Sequence, residues 1–394
     1  MSRKTHPWGT PPWTVDFRPP AHPLPEEVDF AIVGGGFTGL ATAAWLRRLA
    51  AKKSVLVLEA SSLGEGASGR TGGLSLAETA AGPLPGLGDV LAGYKKILRT
   101  LRINAGLELP GVWELGRSNP AKGSPISWND SGNLQVVRTV PGGAVDPGKV
   151  VTGLARSAEH AGAQIVERAG VDAIEYSNPP CLRVHQRIRG RTQEKEICAR
   201  QILLATNAFS LELSELHGAT QPKLTLALAT APLTAAQLKA IGLASRHPFY
   251  TVDLPYLWGR LLACNGIVFG AGLVPMPASI ASLFTKQSKD SSQFAAPNLY
   301  RFDVRKGEAA ESFHWLEGRV HQLHPALKSV RITHRWAGPI LFTEGMRPIF
   351  RRHPRSDKVM VLGGYNGHGV ALSVYLGQWA AEALLGTRPL PSWS

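Results

Sequence analysis

Cysteine is scarce in this chain of 394 residues: Cys181, Cys198 and Cys264 are scattered and odd in number. Neither a disulfide framework nor a zinc knuckle is expected from them. Long apolar runs are also missing, and none approaches the roughly 20 residues that span a bilayer. The first 25 residues are polar, with tryptophan- and proline-rich patches, and lack the apolar core of a secretory signal. These absences make the cytoplasm the expected location. Acidic residues number 29 against 43 basic, a net charge of +14. Such a balance attracts anionic partners, but most of it is dispersed. One stripe, Lys95, Lys96, Arg99 and Arg102, falls on one side of an expected helix and reads as a solvated face. No basic–aromatic RNA signature or helix-turn-helix pattern accompanies it, so nucleic acid is not an expected partner. His314, His321 and His324 have no carboxylate or cysteine partner at metal-ligand spacing, and no metal is expected.

The length suits two interleaved domains rather than one simple core. Residues 1–27 read as an extended arm, because prolines at 7, 11, 12, 19, 20, 23 and 25 forbid helix. An apolar strand from Val28 then runs into G-x-G-x-x-G (Gly34, Gly36, Gly39). A helical run follows, and a second apolar strand ends on Glu59, 20 residues beyond Gly39. This is the layout of a dinucleotide-binding unit. Gly34 permits the sharp turn, Gly36 lets a pyrophosphate approach the backbone, and Gly39 lets helix pack on strand. Unpaired N–H groups at the helix start face the phosphates, and Glu59 accepts the ribose hydroxyls.

Further along, residues 91–105 read as a helix stopped by Gly106, 132–138 as a strand, 150–160 as a helix and 164–167 as a strand. Residues 201–206 form a short apolar strand of the buried parallel type. Beyond Thr206 the pattern becomes antiparallel: an alternating strand at 223–230, and a hairpin over 261–269 with Asn265-Gly266 at its tip. Residues 286–293 read as a mobile loop and 308–323 as a helix. The final stretch returns to strand (358–362), glycine-rich turn (363–369) and helix (370–385).

Three later segments favour FAD over NAD. The run from Gly66 to Gly73 is a second small-residue stretch whose backbone can press on a cofactor, with Arg70 as a cation for the pyrophosphate. The strand at 201–206 ends in Ala205-Thr206-Asn207, small enough for a ligand to approach the sheet edge. Gly364-Tyr365-Asn366-Gly367-His368-Gly369-Val370 opens the last helix, whose N-terminus would stabilise negative charge on a flavin ring.

With Trp336-Ala337-Gly338-Pro339, these segments resemble the D-amino-acid-oxidase-like superfamily of flavin amine oxidoreductases. The glycine oxidase and γ-glutamylputrescine oxidase branch is the nearest in look. The resemblance runs from about residue 28 to the C-terminus. It implies an α/β fold: a discontinuous Rossmann-like FAD-binding domain of the p-hydroxybenzoate-hydroxylase type (28–76, 145–210 and 335–394) and an antiparallel-sheet α+β substrate domain (77–144 and 211–334). FAD contacts are implied at Gly34, Gly36, Phe37, Thr38, Gly39, Glu59, Ala60, Gly66, Ala67, Ser68, Arg70, Thr71, Gly72 and Gly73. Further contacts fall at Ala205, Thr206, Asn207, Gly338, Gly367, His368, Gly369 and Val370, with Val171 holding the adenine through its backbone.

The implied activity is FAD-dependent oxidation of a C–N bond of a small amine or amino acid, by hydride transfer to flavin N5. The acceptor is oxygen or another oxidant, and the oligomeric state is open. His368 and Tyr256 are the catalytic candidates. Two rival readings are an FAD enzyme acting on a modified tRNA base and a non-enzymatic FAD-binding assembly protein. Three departures from the pattern matter. Relatives that oxidise small amino acids carry a carboxylate-clamping arginine where this chain has Ile340, so amines lacking a free α-carboxylate are expected. No cysteine stands between Trp336 and Glu344 to hold flavin covalently, so FAD is expected to be noncovalent. The usual T-x-D-x-x-P reads Thr343-Glu344-Gly345-Met346-Arg347-Pro348, with Glu344 one position from the lost acid.

Overall fold

The computed structural model describes residues 7–118, 121–188, 190–216, 218–253, 256–271 and 303–393. The segment 286–293, expected as a mobile loop, lies outside the described residues. Five strands run parallel, in the order Ser356–Gly363, Arg191–Leu204, Glu27–Val33, Val55–Glu59, Gln164–Glu167. Ile349–His353 adds an antiparallel edge. Where they pair in the middle of the sheet, at 30–33, 55–58 and 202–204, these strands are apolar because both faces are covered. Phe30 and Ile32 pack against the helices Phe37–Leu49, Val90–Thr100, Pro147–His160 and Gly369–Leu384. Ala31 and Val33 point the other way, towards Leu182 and Val184 of a strand meander.

That meander, Ala169–Glu175, Cys181–Ile188 and the first half of Arg191–Leu204, sets Cys181 directly opposite Cys198. The two form a disulfide, a single bond rather than a framework. The spacing in sequence carried no hint of it; the cross-strand register creates it. No described helix is long and apolar enough to cross a membrane.

The second sheet runs Ile332–Thr343, Thr220–Thr230, Ile267–Ala271, Trp258–Leu261, Phe249–Thr251, Val112–Gly116, Asn133–Val140, Trp128–Asn129. It is antiparallel except where Phe249–Thr251 lies parallel to Val112–Gly116. The helix Gly307–Leu323 buries Phe313, Leu316 and Val320 with Leu224, Leu226 and Leu228 on one face of this sheet. Period-2 alternation then turns Thr225 and Ala227 to the opposite face, towards the first domain. Ile332–Thr343 pairs along its whole length with Thr220–Thr230, so position 335 falls inside a strand of the second sheet.

Several boundaries differ from expectation for local reasons. The helix expected over 91–105 ends at Thr100, where Arg102 takes φ +55° and the Ile103 N–H returns to the Leu98 carbonyl. The helix expected from 150 begins at Pro147, with Asp146 accepting the Lys149 N–H as its cap. The hairpin closes through Leu262 N–H to the Gly266 carbonyl, a wider loop than a two-residue turn, with Asn265 at φ +65°. Lys95, Lys96, Arg99 and Arg102 are exposed, as a solvated face requires.

From residue 7 onward the arm packs on the rest of the chain. Trp8 and Trp13 are buried, and Gly9 bridges to Trp336. The Trp13 indole donates to the Gly69 carbonyl at 2.8 Å, and the Trp336 indole to the Arg70 carbonyl at 2.9 Å. These bonds tie arm, glycine-rich run and second sheet together.

Candidate active site

A cavity of about 960 Å³ opens where the C-terminal ends of the parallel strands meet the inner face of the second sheet. Ligands of doubly wound folds bind in this place. All the expected contact residues line it except Gly39 and Gly73. Both exceptions are packing positions. A Cβ on Gly39 would lie 2.0 Å from the Gly34 carbonyl oxygen, and one on Gly73, at φ +82°, would lie 2.3 Å from that of Val145.

At one end Gly34 turns at φ +113° and the helix Phe37–Leu49 starts on Gly36 with no side-chain cap. Ser68 Oγ accepts the Phe37 N–H at 2.9 Å, which brings the Gly66–Gly73 run against the helix start. The other N–H groups of the first turn have no intrahelical partners. The Glu59 carboxylate accepts the Gly35 N–H at 2.8 Å and the Ser61 N–H at 2.9 Å. Burial raises its pKa, and nearby Glu167 and Glu65 push the same way. Such a carboxylate has spare lone pairs and, among the described residues, no paired cation, which suits hydroxyl donors. Glu167, opposite Glu59 in register, was not anticipated. Val171 lies in the wall beside this end.

At the other end lie Ile340, Tyr250, Trp258, Tyr256 and His368. His368 stands at the start of the helix Gly369–Leu384 with Nδ1 3.3 Å from the Asn366 carbonyl, a contact that only an N–H satisfies. Burial lowers its pKa, which favours the neutral ring. Tyr256 lines the mouth with 43% exposure. Tyr250 donates to Glu114, which Arg138 grips through two nitrogens. The Tyr365 and Thr38 hydroxyls, 2.6 Å apart, join the two glycine-rich turns.

Two expected side chains point elsewhere. The Arg70 guanidinium is 5% exposed and turned to the arm: it donates to the Gly9 carbonyl at 2.9 Å and pairs with Glu65 at 2.7 Å. The residue still lines the cavity, and a Cβ on Gly338 would lie 3.2 Å from its own Cβ. Glu344 is exposed and does not stand in for the missing acid. Asn366 joins the end of Ile332–Thr343 to the glycine-rich turn: its Oδ1 accepts the Thr343 N–H at 2.8 Å and its Nδ2 donates to the Gly364 carbonyl at 2.7 Å.

The donor set fits an adenine dinucleotide carrying a flavin. An uncapped helix start and a hydroxyl-seeking carboxylate lie at one end. Two buried hydroxyls in the wall, Ser373 Oγ and Thr225 Oγ1, have no partner among the described residues.

The family model described as FAD dependent oxidoreductase matches residues 29–131 and 130–383. Among curated proteins, a probable oxidoreductase OrdL of Haemophilus influenzae is 26% identical over 94% of this chain and 86% of its own length. The gamma-glutamylputrescine oxidoreductase of Escherichia coli is 25% identical over 91% and 84%. Among solved structures, glycine oxidase from Bacillus cereus superposes with a TM-score of 0.65 at 19% identity, covering 92% of this chain and 98% of that one. At that identity the likeness speaks for the fold.

Proposed function

The chain belongs to the FAD dependent oxidoreductase family, and from that premise we propose that it oxidises a C–N bond of a small amine or amino acid. The product imine then hydrolyses in water. One observation carries the reading. The end of the cavity formed by Ile340, Tyr250, Trp258 and His368 is aromatic and apolar, and no described carboxylate or cysteine lines it. Bound FAD supplies the hydride acceptor for the carbon that bears the amine, so the chain has little acid–base chemistry to perform.

Its residues desolvate and orient the substrate. Glu114 and Arg138 fix the Tyr250 ring as a rigid wall, and Trp258 closes the floor beside Gly72. His368, with Nδ1–H directed at the Asn366 carbonyl, has its Nε2 lone pair left to take a proton from the substrate ammonium. Because burial favours the neutral ring, the acid limb of kcat/KM is expected below the ordinary histidine value of about 6.5. In His368→Ala that limb disappears from the pH profile.

Anaerobic addition of polyamines, N-methyl amino acids and D-amino acids tests the reading. At least one class is expected to bleach the flavin, and a panel without effect would refute amine oxidation. Speed of recolouring in air separates oxidase from dehydrogenase. FAD is proposed to be noncovalent, since the one free cysteine among the described residues, Cys264, is exposed and lies outside the cavity wall. Acid precipitation should release all the yellow colour to the supernatant; colour in the pellet contradicts it.

A further inference from the structure

Among the described strands Ala169–Glu175 pairs only with Cys181–Ile188, and its residues 169–172 line the cavity. The chain enters this strand directly from Glu167, the register partner of Glu59. A base attached to a ribose at Glu59 therefore meets this wall. Val171 and its cross-strand partner Val184 pack on the core that holds Ala31 and Val33. Alternation turns Gly170, Asp172 and His185 to the opposite face. His185 is the direct partner of Gly170, and its imidazole leans across that residue to line the cavity. A Cβ on Gly170 would lie 2.3 Å from the ring's Cε1 and 2.5 Å from its Nε2. The ring takes this place only because position 170 carries no side chain. Asp172, also in the cavity wall, holds it there, with a carboxylate oxygen 2.8 Å from Nδ1.

That bond sets what the ring can do. A neutral imidazole that donates Nδ1–H to a carboxylate carries its lone pair on Nε2, and Nε2 has no partner among the described residues. The side chains of the pair are 41% and 48% exposed, and an ion pair so open to water adds little to stability. What it provides is an oriented hydrogen-bond acceptor beside the place of the base. Adenine presents an amino group, a donor, at its 6-position, whereas guanine presents a carbonyl oxygen there. An acceptor fixed in this wall suits the first and faces a second acceptor in the other. We propose that His185, positioned by Asp172, accepts a hydrogen bond from the 6-amino group of the FAD adenine and so selects an adenine dinucleotide. The inference rests on Glu59 marking the ribose and is independent of what the enzyme oxidises.

The test titrates apoprotein with FAD and with its hypoxanthine analogue, in which an oxygen replaces the 6-amino group. Binding of both is read from flavin fluorescence. The wild type is expected to bind FAD about tenfold or more tightly than the analogue. That ratio should shrink about fivefold or more in His185→Ala, and equally in His185→Phe, which keeps a ring over Gly170 but no acceptor. Asp172→Ala should lower the ratio too. Asp172→Asn should keep most of it, because its amide oxygen can still accept Nδ1–H. A carboxylate that merely supported the strand would move both affinities together and leave the ratio alone. A wild type without preference, or a preference that survives in both His185 variants, overturns the proposal. If Glu59→Ala leaves FAD affinity unchanged, the premise about the ribose fails. If Glu59→Ala weakens FAD binding but the base preference ignores His185, only the present inference fails.

Discussion

Glu59→Ala should purify largely without FAD. The carboxylate stands at the end of Val55–Glu59 and lines the cavity, where it would accept both ribose hydroxyls of the adenosine half. Loss of two charge-assisted hydrogen bonds costs about 2–4 kcal/mol of cofactor affinity, roughly 30- to 1000-fold in Kd. The same oxygens hold the Gly35 and Ser61 N–H groups, so the glycine turn loosens as well. Burial raises the Glu59 pKa, and the acceptor form is the ionised one. Wild-type affinity for FAD should therefore fall as pH drops through that raised value, at a higher pH than an exposed glutamate would give. Titration of apoprotein with FAD, followed by flavin fluorescence, measures both effects. Full occupancy and unchanged affinity in Glu59→Ala would remove the assignment of this end of the cavity.

The legible parts of the site were those written in local sequence. Gly34, Gly36 and Gly39 sit in one turn, and Glu59 follows at the end of the next strand. Spacing alone therefore predicted their meeting. The turn from Gly364 to Val370 was legible for the same reason, since it joins consecutive elements. What escaped was set by pairing across long separations. Thr225 and Gly338 are remote in sequence and become neighbours through the register of two strands. Alternation tells which residues share a face but not which strand lies alongside. The Cys181–Cys198 bond and the parallel pairing of Phe249–Thr251 with Val112–Gly116 were hidden likewise. The guanidinium of Arg70 was not legible for a different reason: a cation in a glycine-rich run suggests a phosphate, whereas here it bonds to Gly9 of the tryptophan-rich arm and to Glu65.

That arm gives the second large expected effect. Arg70 donates to the carbonyls of Gly9 and Glu65, ion-pairs with the Glu65 carboxylate, and lies 5.4 Å from the centre of the Trp8 ring. Arg70→Met keeps much of the volume but removes the guanidinium donor from those carbonyls and from the Glu65 carboxylate. Breaking a buried pair from one side costs about 3–5 kcal/mol, and the 30% exposure of the Glu65 side chain places this case near the lower limit. The loss should be local first, because residues 8–13 touch Arg70, Gly69 and Trp336, whereas Asp16, Pro23 and Leu24 further along the arm have partners of their own. Trp8 and Trp13, buried in the intact protein, should become sites of rapid chymotrypsin cleavage in Arg70→Met, together with a lower melting temperature. Trp8 also lines the cavity, so a released arm should speed FAD dissociation, while an arm that merely decorated the surface would leave it unchanged. A variant as resistant to chymotrypsin and as stable as the parent would mean that the Arg70 cation does not anchor the arm. Its burial beneath Trp8 would then need another cause.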